Sequence, residues 1–241
     1  MEEEYARYLL KKTEEDYDRI AEHFSETRFS AWPEFLYFQK FIKKGNRVLD
    51  AGCGNGRLSE IVEKSKADYL GVDISERIIE KAREKYPKNK FEKKDILDLQ
   101  FSEGEFDLVF CNAVLQHIPS QGYRILALEN LFYILKPKGY LIMTNWNLWQ
   151  KWNRSLVLKY ALKKILSGGD LDLGDIFRPW KDPKGKVLAE RYLHAFTARK
   201  LANLLKLARF KIIENYYSFQ NNKVGLFKGY NIVTIAQKPE F

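Results

Sequence analysis

The stretch Val48-Leu49-Asp50-Ala51-Gly52-Cys53-Gly54-Asn55-Gly56-Arg57 constrains the fold more than any other part of the chain. A short apolar run ends in an acid, and three glycines follow on alternate positions. A helical pattern carried by Leu58, Ile61 and Val62 then begins at once. Glycines in this arrangement let the backbone turn sharply and approach a ligand where a Cβ would collide. The spacing is G-x-G-x-G and not the G-x-G-x-x-G of dinucleotide loops. Asp50 would repel a pyrophosphate, whereas a cationic amine or sulfonium suits it.

The rest of the first 145 residues repeats the strand-then-helix theme. Residues 47–50, 69–73, 106–111 and 140–144 read as buried strands. Ile78/Ile79/Ala82 and Ile125/Leu128/Phe132/Leu135 recur at three- and four-residue spacing, which puts each set on one helix face. Such alternation predicts a parallel sheet covered on both faces, because every crossover returns the chain to the same sheet end. The tail adds a helix on Leu201/Leu204/Leu205/Ala208 and two directly joined, hence antiparallel, strands at 210–219 and 226–237. Residues 5–24 and 32–42 read as aromatic-rich helices capping the ligand edge of the sheet, the second opened by Pro33. Residues 167–186, with Gly168, Gly169, Gly174, Pro179, Pro183 and Gly185, read as a loop excursion.

Composition narrows the class. A chain of 241 residues, 45% hydrophobic and 30% charged, is expected to bury one sizeable core. The opening Met1-Glu2-Glu3-Glu4 is unlike a secretory leader, and no apolar run approaches the roughly 20 residues of a membrane span, so the expectation is a cytoplasmic protein without membrane attachment. Cys53 and Cys111 supply neither a disulfide framework nor thiolate metal spacing, and no metal is expected. Residues 1–145 carry a net charge of −2 and residues 146–241 a net of +11. A solvated lysine-rich surface is one reading of that excess; a platform for a polyanion is the other.

Two further acids follow the glycine loop. Asp73 ends the second strand seventeen residues after Gly56, where a carboxylate can accept both hydroxyls of a ribose; alternatively it caps a helix at 75–86. Asp95 is expected to end the third strand, where it could meet an adenine amino group or simply make a turn.

With these elements in order, residues 45–240 resemble the class I S-adenosylmethionine-dependent methyltransferases. The resemblance implies a Rossmann-like α/β fold with a seven-stranded, mostly parallel sheet, the last strand antiparallel, and helices on both faces. It places Asp50, Gly52, Cys53, Gly54, Gly56, Asp73, Ile74, Asp95, Ile96, Asn112 and Ala113 around S-adenosylmethionine. The expected organisation is a single domain: cap helices in 1–44, the cofactor core in 45–145, a basic lid in 146–190, and a helix with antiparallel strands in 191–241.

A narrower resemblance lies outside the cofactor motifs. Residues 17–28, Tyr-Asp-Arg-Ile-Ala-Glu-His-Phe-Ser-Glu-Thr-Arg, followed by Trp32-Pro33, and then Arg191-Tyr192-Leu193-His194-Ala195-Phe196, are similar to segments of the tRNA wobble carboxymethyluridine methyltransferases. Here Gln116-His117 stands where that family often has two histidines, and Pro137-Lys138-Gly139 replaces its Pro-Gly-Gly turn. The resemblance implies esterification of the 5-carboxymethyluridine carboxylate, with a tRNA anticodon loop as partner and a small zinc-binding activator subunit as a possible second one.

A carboxylate acceptor is ionised at neutral pH and needs alignment more than a base. Arg28 and Arg191 are the candidates for gripping it or a neighbouring phosphate, and structural ion pairs are their alternative role. His117 would position the acceptor or act as a base, and its alternative is a helix-start residue with no catalytic task. His194 is a further candidate, but on a regular strand it and Arg191 point to opposite faces, so only a bulge would bring both to the site. His23 reads as a helix residue packed near Phe24. Trp146, Trp149 and Trp152 recur every third residue, as a packed helix face or as a platform for an extruded base. With Lys151, Arg154, Lys159, Lys163, Lys164, Lys181, Lys184 and Lys186 they are expected to make residues 146–186 a phosphate-contacting lid. Two rivals stand beside this reading: a methyltransferase for quinone or lipid precursors, for which His117 or His23 would have to supply a base, and a non-catalytic tRNA-binding protein of the same fold.

Overall fold

The computed structural model describes residues 1–28 and 32–240. Two helices come first, α1 (Glu3–Thr27) and α2 (Pro33–Phe38). Pro33 sits in the first turn of α2, where its missing N–H costs nothing, and a 3₁₀ turn at Gln39–Phe41 ends this part. Then β1 (Arg47–Ala51), α3 (Ser59–Lys64), β2 (Asp68–Asp73), α4 (Glu76–Lys85), β3 (Lys90–Lys93), β4 (Phe106–Asn112), α5 (Gln121–Ile134) and β5 (Leu135–Trp146) follow as strand and helix in near alternation. The C-terminal part comprises α6 (Arg154–Ser167), β6 (Asp175–Lys181), β7 (Val187–His194), α7 (Ala198–Leu207), β8 (Lys211–Phe219), β9 (Asn222–Val224) and β10 (Asn231–Gln237).

The main sheet has the order β3-β2-β1-β4-β5-β10-β8-β9. Strands β3 to β5 pair in parallel, and β10 runs antiparallel between β5 and β8. Seven strands were expected, and the eighth is the three-residue β9. Gln220 and Asn221 take positive φ (48° and 66°), which turns the chain straight back on β8 as a tight hairpin. The expected strand at 226–237 is therefore shorter, beginning at Asn231.

Side chains alternate across the sheet to build two cores. Leu49, Val109, Cys111, Leu141 and Met143 face α5 and α7, while Val48, Leu108, Phe110 and Ile142 face α2, α3 and α4. Each fully buried aliphatic or phenyl side chain contributes about 1.5–3 kcal/mol.

The expected excursion at 167–186 is instead largely a strand. β6 pairs antiparallel with β7 as a separate two-stranded ribbon, tolerating Pro179 because each strand of such a ribbon has a free edge. The ribbon packs against α1 and is pinned to the sheet side by a buried network. His194 Nδ1 lies 2.6 Å from Asp175 Oδ1; Arg124 Nη2 is 3.5 Å from that oxygen and donates to the Tyr192 hydroxyl at 2.9 Å. Replacing Asp175 by Ala leaves a buried guanidinium uncompensated, with an expected loss of about 3–5 kcal/mol in urea denaturation; a loss below about 1 kcal/mol would mean that the network does not hold the ribbon.

Candidate active site

The strand order reverses between β1 and β4, so the loops after these strands diverge and leave a crevice at their C-terminal ends. A cavity lies there, walled by the glycine loop, the ends of β2 and β4, and the inner face of α1 with Tyr17 and Phe24. The loop is fixed from below: Gly52 and Cys53 N–H groups both donate to the Val72 carbonyl, at 2.7 and 2.9 Å. Gly52 has φ +79°, and a Cβ on it would stand 2.1 Å from Val114. Gly56 departs from expectation. It does not line the cavity; a Cβ there would meet Phe91 and Tyr86 at 2.8 and 2.9 Å, so this glycine serves packing of the loop on β3.

Three acids reach the cavity. Asp50 is buried and accepts from the Tyr69 hydroxyl at 3.0 Å. Burial, against that hydrogen bond and with the charge of Asp73 nearby, pushes its carboxyl up to about 7. Asp73 accepts from Gly54 N–H at 2.9 Å and from Ser75 N–H at 3.1 Å, and burial still holds it above the usual carboxylate range. The capping role considered for Asp73 belongs to Ser75, whose Oγ accepts from Ile78 N–H and donates to Asp18. Asp95 stands two residues beyond β3, where its Oδ1 accepts from Leu97 N–H at 2.9 Å while the residue also lines the cavity. Turn-making and a place in the wall coincide in this residue. Cys53, Gly54, Ile74, Ile96, Asn112 and Ala113 are wall residues too. Asn112 Oδ1 accepts from Thr144, and its buried Nδ2 has no hydrogen-bond partner among the described residues.

His117 lies at the cavity mouth, buried, with both ring nitrogens engaged. A carbonyl can only accept, so Nδ1–H donates to Tyr192 O at 3.2 Å and Nε2 accepts the Tyr17 hydroxyl proton at 2.9 Å. Burial, helped by the charge of Arg191, lowers its pKa to about 3. This neutral imidazole orients the Tyr17 phenol and has no free lone pair in the plane of its ring. Tyr17 and Tyr69 escaped the sequence reading, since their apolar spacing reads as ordinary packing.

Above the cavity the charge changes sign. Arg28, at the C-terminal end of α1, stacks on Phe24 and Trp180 at 5.6 and 5.1 Å. Arg191 is 6% exposed and lies 4.5 Å over the Trp180 ring and 5.3 Å from that of Trp146. Its Nε and Nη1 have no hydrogen-bond partner among the described residues. Burial and the charge of Arg191 lower the pKa of Arg28 and of Arg178 alike.

His194 is not at this site. β7 alternates regularly through residues 191–194, the only irregularity in its pairing lying near Trp180 and Lys181, so Arg191 faces α1 and His194 the opposite side with Asp175. His23 accepts from Trp180 Nε1 at 2.7 Å and acts as packing. The three tryptophans share no helix face: Trp146 ends β5 and lines the cavity against His117, Trp149 is half-buried under α6, and Trp152 is exposed.

Residues 42–191 match the family model described as a methyltransferase domain. The chain belongs to that family. A tRNA (carboxymethyluridine(34)-5-O)-methyltransferase of Arabidopsis thaliana is 34% identical over 145 residues, covering 60% of this chain and 35% of that protein. One of Schizosaccharomyces pombe with the same name is 26% identical over 230 residues, covering 92% of this chain and 96% of the relative. The chain thus spans about a third of the plant relative's length and nearly all of the yeast one's. Among solved structures, a protein of Methanosarcina mazei described as a SAM-dependent methyltransferase superposes with a TM-score of 0.68 at 24% identity, over 88% of this chain and 100% of that one, and supports the methyltransferase fold. No helix among the described residues is long and apolar enough to cross a membrane.

The loop geometry separates two glycines by experiment. Gly52→Ala meets both a positive φ and a 2.1 Å contact and is expected to cost more than about 2 kcal/mol in urea denaturation. Gly54→Ala, whose Cβ would come no closer than 3.3 Å to Phe24, is expected to lose less stability.

Proposed function

We propose that this methyltransferase uses S-adenosylmethionine to esterify the carboxylate of 5-carboxymethyluridine at the tRNA wobble position. The observation that carries the reading is the buried Arg191 guanidinium, which has unpartnered N–H groups beside the cavity and calls for an anionic acceptor. The names of the plant and yeast relatives support the substrate, and the net +11 of residues 146–241 supports a polyanion.

The walls fit the cofactor. Asp73 is held by backbone amides of the loop and of the following turn, with acceptor capacity left toward a ribose hydroxyl. Asp50 is placed for a cationic amine, Asp95 for an adenine amino group, and the unpartnered Asn112 Nδ2 offers a donor. When bound, the cofactor supplies an electrophilic methyl on a sulfonium. On the acceptor side, Arg191 orients a carboxylate bidentately with the charge of Arg28 nearby, and Tyr17, Phe24 and Trp146 exclude water from the nucleophilic oxygen. A carboxylate needs no general base, which agrees with a His117 whose nitrogens are both occupied. A phenolic acceptor would need one; both nitrogens of His117 are engaged, and His23, held by Trp180 at Nδ1, does not line the cavity, which disfavours the quinone-precursor reading.

The deciding experiment is transfer of labelled methyl into tRNA carrying carboxymethyluridine, with and without a small zinc-binding activator, followed by nucleoside mass spectrometry. Label in an alkali-labile methyl ester of the wobble nucleoside is the expected result; label only in small molecules would overturn the reading. Arg191→Gln is expected to lower kcat by about 100-fold or more while leaving cofactor affinity within about twofold. The pH response follows from Asp50. Its carboxyl is protonated below about 7 and charged above it, and only the charged form attracts a cationic amine. Cofactor affinity measured calorimetrically should therefore rise as pH climbs from about 5.5 through 7 and level near 8, and Asp50→Asn should remove the slope.

A further inference from the structure

The β6–β7 ribbon places Arg178 directly opposite Arg191. Directly opposed residues of an antiparallel pair share a face, with Cα atoms about 5 Å apart, and like charges there are destabilising. Trp180, two residues beyond Arg178 and so on the same face, is the ring on which Arg191 stacks. Neither arginine forms an ion pair among the described residues, and Arg191 is buried with two unpartnered nitrogens. One carboxylate can satisfy one fork. A second cation held this close, at a cost, implies a second anion held equally close to the first.

We propose that Arg178 binds a backbone phosphodiester immediately beside the acceptor carboxylate, so that the ribbon reads two anions of one nucleotide with two opposed arginines. The inference rests on the carboxylate reading for its geometry. In an anti pyrimidine nucleotide the C5–C6 edge faces that nucleotide's own 5′-phosphate, so a carboxylate carried on C5 and this phosphate lie on the same side. Two facing guanidinia match two neighbouring anions, and each relieves the repulsion of the other only when both anions are bound. A free carboxylate-bearing nucleoside would fill half of the site.

The test compares the full chain with its Arg178→Gln and Arg178→Lys variants, measuring anisotropy of a labelled tRNA anticodon stem-loop across a salt series. Arg178→Gln should weaken binding about fivefold or more and flatten the slope of log K against log salt by roughly 0.7, the increment for one single-strand phosphate contact. Arg178→Lys should restore the slope, because charge alone sets counterion release, but only part of the affinity, because the bidentate fork is lost. Cofactor affinity should be unchanged, KM for tRNA should rise by a larger factor than kcat falls, and the melting temperature without RNA should stay level or rise as the like-charge pair is removed. That last readout separates a lost contact from a misfolded chain. An unaltered stem-loop affinity and salt slope in Arg178→Gln would overturn the proposal, and so would inorganic phosphate competing as well as the stem-loop at equal concentration, which would mark a site for free phosphate. If Arg178→Gln weakens the stem-loop but the wild-type chain leaves carboxymethyluridine unmethylated, the phosphate contact stands and the carboxylate reading fails. If methylation proceeds and the variant binds normally, the reverse holds.

Discussion

The pairing of β1 with β2 on one side and β4 on the other is the constraint on which the rest of the structure depends. Because crossovers from β1 run one way and those from β4 the other, neither set covers the end of the sheet between them. The glycine loop, Asp73 at the end of β2, and Asn112 and Ala113 after β4 all fall at this uncovered point. Their proximity follows from topology, with strands 20 or more residues apart in sequence brought within reach of one small molecule. The two cores on either face hold the strands in this order, so packing far from the cavity sets its shape.

The cavity's two sides carry opposite electrostatic problems. Toward the glycine loop, burial raises Asp50 and Asp73 above the ordinary carboxylate range. Toward the ribbon, burial and the charge of Arg191 lower Arg28 and Arg178. Buried charges held by hydrogen bonds alone, with no opposite charge paired to them, cost the fold stability, and the surrounding packing has to hold them in place. Aromatic rings are the ribbon's substitute for counter-ions: Trp180 and Trp146 give Arg191 a weakly attractive surface that neither neutralises it nor occupies its N–H groups.

How much of this was legible in the sequence differs by residue for a physical reason. The glycine loop, Asp73 and Asp95 are readable because local backbone geometry fixes their purpose: a turn, a strand end, a fixed spacing. The opposed faces of Arg191 and His194 were readable as well, since strand alternation has a strict period of two. The Arg178–Arg191 pair was not. It depends on a cross-strand register, and the strand that supplies Arg178 is disguised by Gly174, Pro179 and Pro183, which signal a loop unless a free ribbon edge is already known. The tryptophan triplet misled in the opposite way, since its three-residue spacing suggests one helix face, while the chain spends those residues on a strand end and two turns before α6 begins. Tyr69 reads as a core aromatic on β2, and only the sheet's pairing with β1 shows that its hydroxyl meets Asp50.

The same arrangement sets the acidic and the basic sides of the cavity against one helix. α1 supplies Tyr17 to the cavity wall and Arg28 to the arginine group, and it packs on both α4, beyond Asp73, and β7, which bears Arg191. A ligand that neutralises the arginines removes a repulsion acting between α1 and the ribbon, whereas one that engages Asp50 and Asp73 relieves the opposite strain beneath α1. Ligands that bind only the folded state each stabilise it, by about 2.7 kcal/mol at a hundredfold excess over Kd. Both groups of buried charge therefore meet at one helix, and the packing of α1 is set by the two sides of the cavity together.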